Sequence, residues 1–139
     1  MSPAELAALH ARCFTNPRPW SETEFRDLLA SNGCFLLTRP TAFLLGRAIA
    51  GEAELLTIAT APEARRHGHG RALADEFAAT SRRMGAETAF LEVAHDNTPA
   101  LALYHHCGWR EAGRRRGYYA PARDAVILRL DLSAGQEPG

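Results

Sequence analysis

Apolar residues recur at two different periods along this chain, and each change of period marks a new element. Leu6, Leu9, Cys13 and Phe14 return at helical spacing, and Ser21 in "PWSETEF" stands as an N-cap before a second helix carrying Leu28 and Leu29. Three runs rich in apolar and β-favouring residues follow, "CFLLTR", "AFLLGRAIA" and "EAELLTIAT", separated by turn signals at Arg39-Pro40 and Gly51-Glu52. They predict an antiparallel meander. Pro62 ends the third run, a glycine turn follows, and Leu73, Phe77 and Met84 predict a helix that stops at Gly85. "TAFLEVA" is short and apolar enough to be a buried strand, and the Asp96-Asn97-Thr98-Pro99 cap predicts a further helix with Leu101, Leu103 and Tyr104 that stops at Gly108. "WREAGRR" and "DAVILRL" predict a closing strand pair connected through "RGYYAPAR", and "SAGQEPG" a frayed tail. The order α-α-β-β-β-α-β-α-β-β predicts an α/β fold with a mixed sheet.

Length and charge narrow the choice of function. With 139 residues and 46% apolar content, the chain suits one domain over residues 1–132, followed by a tail at 133–139. Sixteen arginines balance sixteen acidic side chains, so no long-range field draws in nucleic acid or an anionic membrane, and any basic site must be local. Cys13, Cys34 and Cys107 are odd in number and widely spaced, which predicts neither a disulfide framework nor a structural metal and points to the cytoplasm. No run approaches a membrane span. His67, His69, His95, His105 and His106 match no recurrent ligand spacing, so no metal is expected.

Two stretches carry chemistry. "RRHGHGRAL", residues 65–73, places Gly68 and Gly70 among arginines between a strand and a helix, where a tight backbone and free first-turn N–H groups can seat a phosphate. No Gly-Lys-Ser/Thr follows, which excludes a P-loop, and the glycine spacing is wrong for a dinucleotide fingerprint. Downstream, "FLEVAHDNTPALALYHHCGW" puts Asn97 and Tyr104 seven residues apart, two helical turns on one face. Glu92 alternates with apolar neighbours in "AFLEVA"; a carboxylate there is expected to open into a cleft, since burial without a partner is costly. A carboxylate to take a proton and a phenol to return one make an acid–base pair.

The runs "LLTIATAPEARRHGHGRAL", "FLEVAHDNTPALALYHHCGW" and "RRRGYYAPARDAVIL", in this order, resemble the GNAT superfamily of acetyl-CoA-dependent N-acetyltransferases, and "RPWSETEF" resembles the Pro-Trp-Ser element of its members that acetylate protein N-termini. The resemblance implies a mostly antiparallel mixed sheet with a central splayed strand pair, flanked by helices and lacking the family's opening strand. It implies acetyl-CoA as cosubstrate, held by Ile58, Ala59 and Thr60 along the pantetheine arm, by Arg65, Arg66, His67, Gly68, His69, Gly70 and Arg71 at the pyrophosphate, and by Asn97 and Tyr104. Glu92 is then the general base and Tyr104 the general acid, in direct transfer through a ternary complex. The implied acceptor is a protein N-terminus, the alanine of the ribosomal small-subunit protein numbered eighteen.

Trp20 and Glu22 are candidates for contacting a basic acceptor peptide, and Tyr118 and Tyr119 for closing over its amine. Arg114, Arg115 and Arg116 fit a solvated turn or a role in holding acceptor or cofactor. His69 stands where the family often has an aliphatic residue, His67 precedes the first glycine, and the backbone donors there remain free. A monomer without direct nucleic-acid or membrane contact is expected. The rival readings are the same fold acting on lysine side chains or a small amine, a non-catalytic acyl-CoA sensor, and an RNA-binding module. Having both Glu92 and Tyr104 speaks against the sensor, and the neutral charge balance against RNA.

Overall fold

The computed structural model describes residues 1–15 and 18–133. Helices α1 (Pro3–Cys13) and α2 (Glu22–Leu29) open the chain, each started by a reciprocal capping box, Ser2 with Glu5 and Ser21 with Glu24. Strands β1 (Cys34–Arg39), β2 (Ala42–Ile49) and β3 (Glu52–Thr60) form the expected antiparallel meander. A short 3-10 turn at Pro62–Ala64 leads into α3 (His69–Arg83), followed by β4 (Thr88–Ala94), α4 (Thr98–His106), β5 (Arg110–Ala120) and β6 (Arg123–Asp131). The six strands lie in the order β1-β2-β3-β4-β6-β5, and only β3 and β4 pair parallel.

Helices cover the sheet on both faces, and strand alternation sorts the core accordingly. Leu44, Leu55, Leu91 and Leu128 pack with Leu73 and Phe77 of α3 and Tyr104 of α4, while Phe43, Leu45 and Ala59 pack on the other face with Leu6 and Leu9 of α1 and Phe25 of α2. The β2–β3 register shifts between Leu45, opposite Thr57, and Gly46, opposite Leu55, so Leu56 is the extra residue of a bulge. Because of it, Leu55 and Ile58 share one face, and Glu54 and Thr57 the other.

The β3–β4 pair is brief. Glu52, Ala53 and Glu54 lie opposite Thr88, Ala89 and Phe90, and beyond that point the two strands run on unpaired with each other, to Thr60 and Ala94. This is the central splay.

The closing hairpin departs from expectation. The sequence predicts "RGYYAPAR" as the connection, yet β5 continues through Ala120 and the reversal is confined to Pro121 and Ala122. Gly117 adopts φ +62°, and its N–H donates to the Asp124 carboxylate at 2.8 Å, so the strand bulges rather than ends. The described chain opens on α1 rather than on a strand; residues 134–139, most of the expected tail, lie outside the described residues.

Candidate active site

The turn after β3 is built by backbone geometry that few residues tolerate. Arg65 folds back, its Nε donating to the Thr60 carbonyl at 3.2 Å, and Arg66 takes φ +68°, a left-handed conformation costly for a residue with a Cβ. Gly68, at φ +81°, is the N-cap of α3. It supplies no side-chain cap, so the first-turn N–H groups of α3 point outward with their partial positive charge. A Cβ on Gly70 would come within 3.3 Å of Leu103 Cδ2, so glycine lets α3 begin hard against α4. Arg65, Arg66 and His67 are exposed, His69 is half-buried, and Arg71 lies within 3.7 Å of Asp75. The His67 and His69 rings are 6.4 Å apart, and among the described residues no group of three or more potential ligands is placed to hold a metal ion.

Ile58, Ala59 and Thr60 lie past the last β3–β4 pairing. Their register partners are Leu44, Phe43 and Ala42 of β2, so β3 is laddered on one edge here while the edge toward β4 diverges. That open edge can accept an extended ligand as if it were another strand.

Glu92 sits on β4 beyond the pairing, opposite Ile127 of β6, on the face away from α3 and α4. It lines a cavity of about 440 Å³ with Arg47, Glu54, Phe90, Arg115 and Ile127. Its side chain is 24% exposed and lies 3.3 Å from the Arg115 guanidinium. On the opposite face Tyr104 is only 4% exposed, edge-on to Trp109 at 5.9 Å between ring centres. Burial first, then the Cys107 and Tyr119 charges, pushes its hydroxyl above the usual phenol range, so Tyr104 is a protonated donor at neutral pH. The Tyr119 phenol is pushed up to about 12, by burial first and next by the Glu92 charge. Glu92 acts on Tyr119 and Tyr119 on Tyr104, which puts the three groups in one electrostatic neighbourhood.

Asn97 and Tyr104 do not form the expected matched stripe. Asn97 is the exposed N-cap of α4, its amide oxygen accepting from the Ala100 N–H at 3.3 Å, whereas Tyr104 points into the core. The Asn97 amide NH₂ is the part left to face a ligand. Trp20 stacks on His10 at 5.1 Å and packs with the α1–α2 core, and Glu22 is ion-paired with Arg26 one turn on. Tyr118 is 53% exposed and lies edge-on to Tyr119 at 5.1 Å.

Two groups stand out more sharply in the structure than in the sequence. Arg115 was one of three adjacent arginines, and only the β5–β6 register, Arg115 opposite Ala125, puts it on the same face as Glu92. His10 joins α1 to β3, and its signal in sequence was merely a histidine on an apolar helix face.

Comparison with known proteins bears on this geometry. The model of the acetyltransferase (GNAT) family matches residues 4–109. The [ribosomal protein bS18]-alanine N-acetyltransferase of Escherichia coli (strain K12) is 34% identical, the alignment covering 91% of this chain and 90% of that protein. The N-alpha-acetyltransferase RimI of Mycobacterium tuberculosis is 34% identical over 90% of this chain and 84% of its own. The crystal structure of the E. coli ribosomal-protein-S18-alanine N-acetyltransferase superposes with a TM-score of 0.84 at 33% identity, covering 99% of this chain and 92% of that one.

Proposed function

Because this chain belongs to the acetyltransferase (GNAT) family, we propose that it transfers an acetyl group from acetyl-CoA to the α-amine of a protein N-terminus, and that its acceptor is the alanine N-terminus of ribosomal protein bS18. The observation that carries the reading is the splay of β3 from β4 beyond Glu54 and Phe90, with Glu92 on one side of it and the Gly68 turn at its end. The alanine N-acetyltransferase names of relatives at this identity and coverage support the acceptor.

The residues present fit the cosubstrate. The open edge of Ile58 to Thr60 would offer backbone donors and acceptors to the pantetheine arm, and the first turn of α3 with Arg65, Arg66 and Arg71 would hold the pyrophosphate. The cosubstrate supplies an acetyl thioester activated toward amines. The α-amine of the acceptor, with a pKa of about 8, arrives largely protonated. Glu92 takes its proton from the cavity side. A backbone N–H on the β3 edge donates to the acetyl carbonyl oxygen as negative charge grows there. Tyr104, kept protonated by burial, gives its proton to the departing sulfur.

The test is acetyl transfer measured by thiol release, with acetyl-CoA and a short peptide beginning Ala-Arg, beside a peptide with a blocked N-terminus and one internal lysine. Turnover with the free alanine N-terminus alone is the expected result. Turnover with the lysine peptide alone transfers the assignment to side-chain amines.

A further inference from the structure

Arg115 stands where a cationic acceptor has to go. Its guanidinium lies 3.3 Å from the Glu92 carboxylate on the wall of the cavity, looser than the ~2.7–2.9 Å of a directed charge-assisted hydrogen bond. On its other side the Tyr118 ring holds it at 5.4 Å, a cation–π contact. The Arg115 side chain is more than half exposed; of the carboxylates lining the cavity, Glu54 pairs separately with Arg47 at 3.7 Å, Glu52 also faces it, and among the described residues the ion pair of Arg115 is with Glu92.

We propose that Arg115 is an internal stand-in for the acceptor ammonium, occupying Glu92 in the resting enzyme and giving way to the incoming N-terminus. This rests on the reading of Glu92 as the acceptor-facing base. Two monovalent cations cannot share one carboxylate without repulsion, so the acceptor binds by exchanging with Arg115. The exchange runs one way per turnover. A charged α-ammonium competes for Glu92; the acetylated product is a neutral amide and does not. Once the proton taken by Glu92 has passed to solvent, the carboxylate is charged again and Arg115 reoccupies it. Arg115 thus selects for charged amines and favours departure of the product. Tyr118 parks the guanidinium on the cavity wall, ready for return.

The role predicts an unusual sign. Arg115→Gln removes the competitor, so the KM for the Ala-Arg peptide falls, by about two- to fivefold given the modest strength of an exposed ion pair. Arg115→Lys keeps the competing charge, and its KM stays near that of the parent enzyme. A merely structural residue gives the opposite, a KM that is unchanged or raised. Steady-state kinetics at saturating acetyl-CoA on these two variants and on Glu92→Gln decide the matter. An unchanged or higher KM in Arg115→Gln, or equal KM values in the Gln and Lys variants, overturns the proposal. Loss of turnover in Glu92→Gln alongside such a result leaves the base assignment standing and removes only Arg115's role; full turnover in Glu92→Gln removes the base assignment itself.

Discussion

At the scale of single residues, the proposed chemistry rests on two groups in opposite surroundings. Glu92 is wetted by a cavity and held beside a guanidinium, whereas Tyr104 is enclosed by Trp109 and the α4 core. The former suits a proton acceptor, the latter a donor. Glu92→Gln keeps the shape and loses the basicity; Tyr104→Phe keeps the packing and loses the proton. Each is expected to lower kcat by about 10²-fold or more, the usual worth of a general acid or base, with acetyl-CoA affinity nearly unchanged. Full turnover of either variant at saturating substrates would refute its assigned role. The alternation of "AFLEVA" exposed Glu92 as a polar residue in a buried strand before any coordinates. Nothing in the sequence told that Tyr104 lies beneath the sheet rather than beside Asn97, because a helical repeat fixes angles around an axis and leaves open which face is covered.

Between elements, one histidine ties the first helix to the strand that leads into the site. His10 Nδ1 accepts the Trp20 backbone N–H at 3.0 Å, so its proton is on Nε2, which donates to Thr57 Oγ1 at 2.9 Å. Phe14, Phe25 and Phe43 surround the ring, and burial lowers its pKa to about 4, opposed by the nearby Glu24 charge. A second proton would have to sit on Nδ1, facing another N–H. Thr57 adjoins the Leu56 bulge, one residue before the Ile58 to Thr60 edge, so the lock sets the path of β3 where it leaves β4. The native value lies below the ordinary one, so the unfolded chain takes up a proton that the native chain refuses. The stabilisation is therefore whole above about pH 6.5 and is lost as pH falls toward about 4. Thermal denaturation compared at about pH 7 and about pH 5 should show a lower Tm at the acidic value. His10→Gln should be less stable than the parent at neutral pH but show a smaller drop on acidification; an undiminished drop would assign it to other groups.

The molecule as a whole is a sheet deliberately left incomplete. Three register pairs join β3 to β4, and the rest of both inner edges diverges, so the two halves of the sheet meet at a narrow seam. A ligand laid in the splay supplies the missing partner and binds only the folded chain. At a concentration of one hundred times its Kd it adds about 2.7 kcal/mol, which for a domain of this size raises Tm by on the order of 10 °C. Acetyl-CoA should produce such a shift in a thermal melt of the parent and of Glu92→Gln. Gly68→Val should lose most of it, since φ +81° at that N-cap is hostile to a β-branched residue and the phosphate seat would deform. A parent melt insensitive to acetyl-CoA would contradict the assignment of the splay as its site.

Sequence by itself determined what local physics governs. Periodicity and capping placed each helix and strand in order, because Ser21, Pro62, Gly85 and Asn97 act on their own neighbours. The glycine turn was legible for the same reason, and so was the polar intruder at Glu92. Long-range register was not, and it is register that assembled the site. The parallel alignment of β3 with β4 ends after Glu54, the Leu56 bulge exchanges the faces of β3, and the β5–β6 register, Arg115 opposite Ala125, brings Arg115 to Glu92. Each of these depends on which strand lies beside which, a choice made by burial across the whole sheet that no single segment encodes.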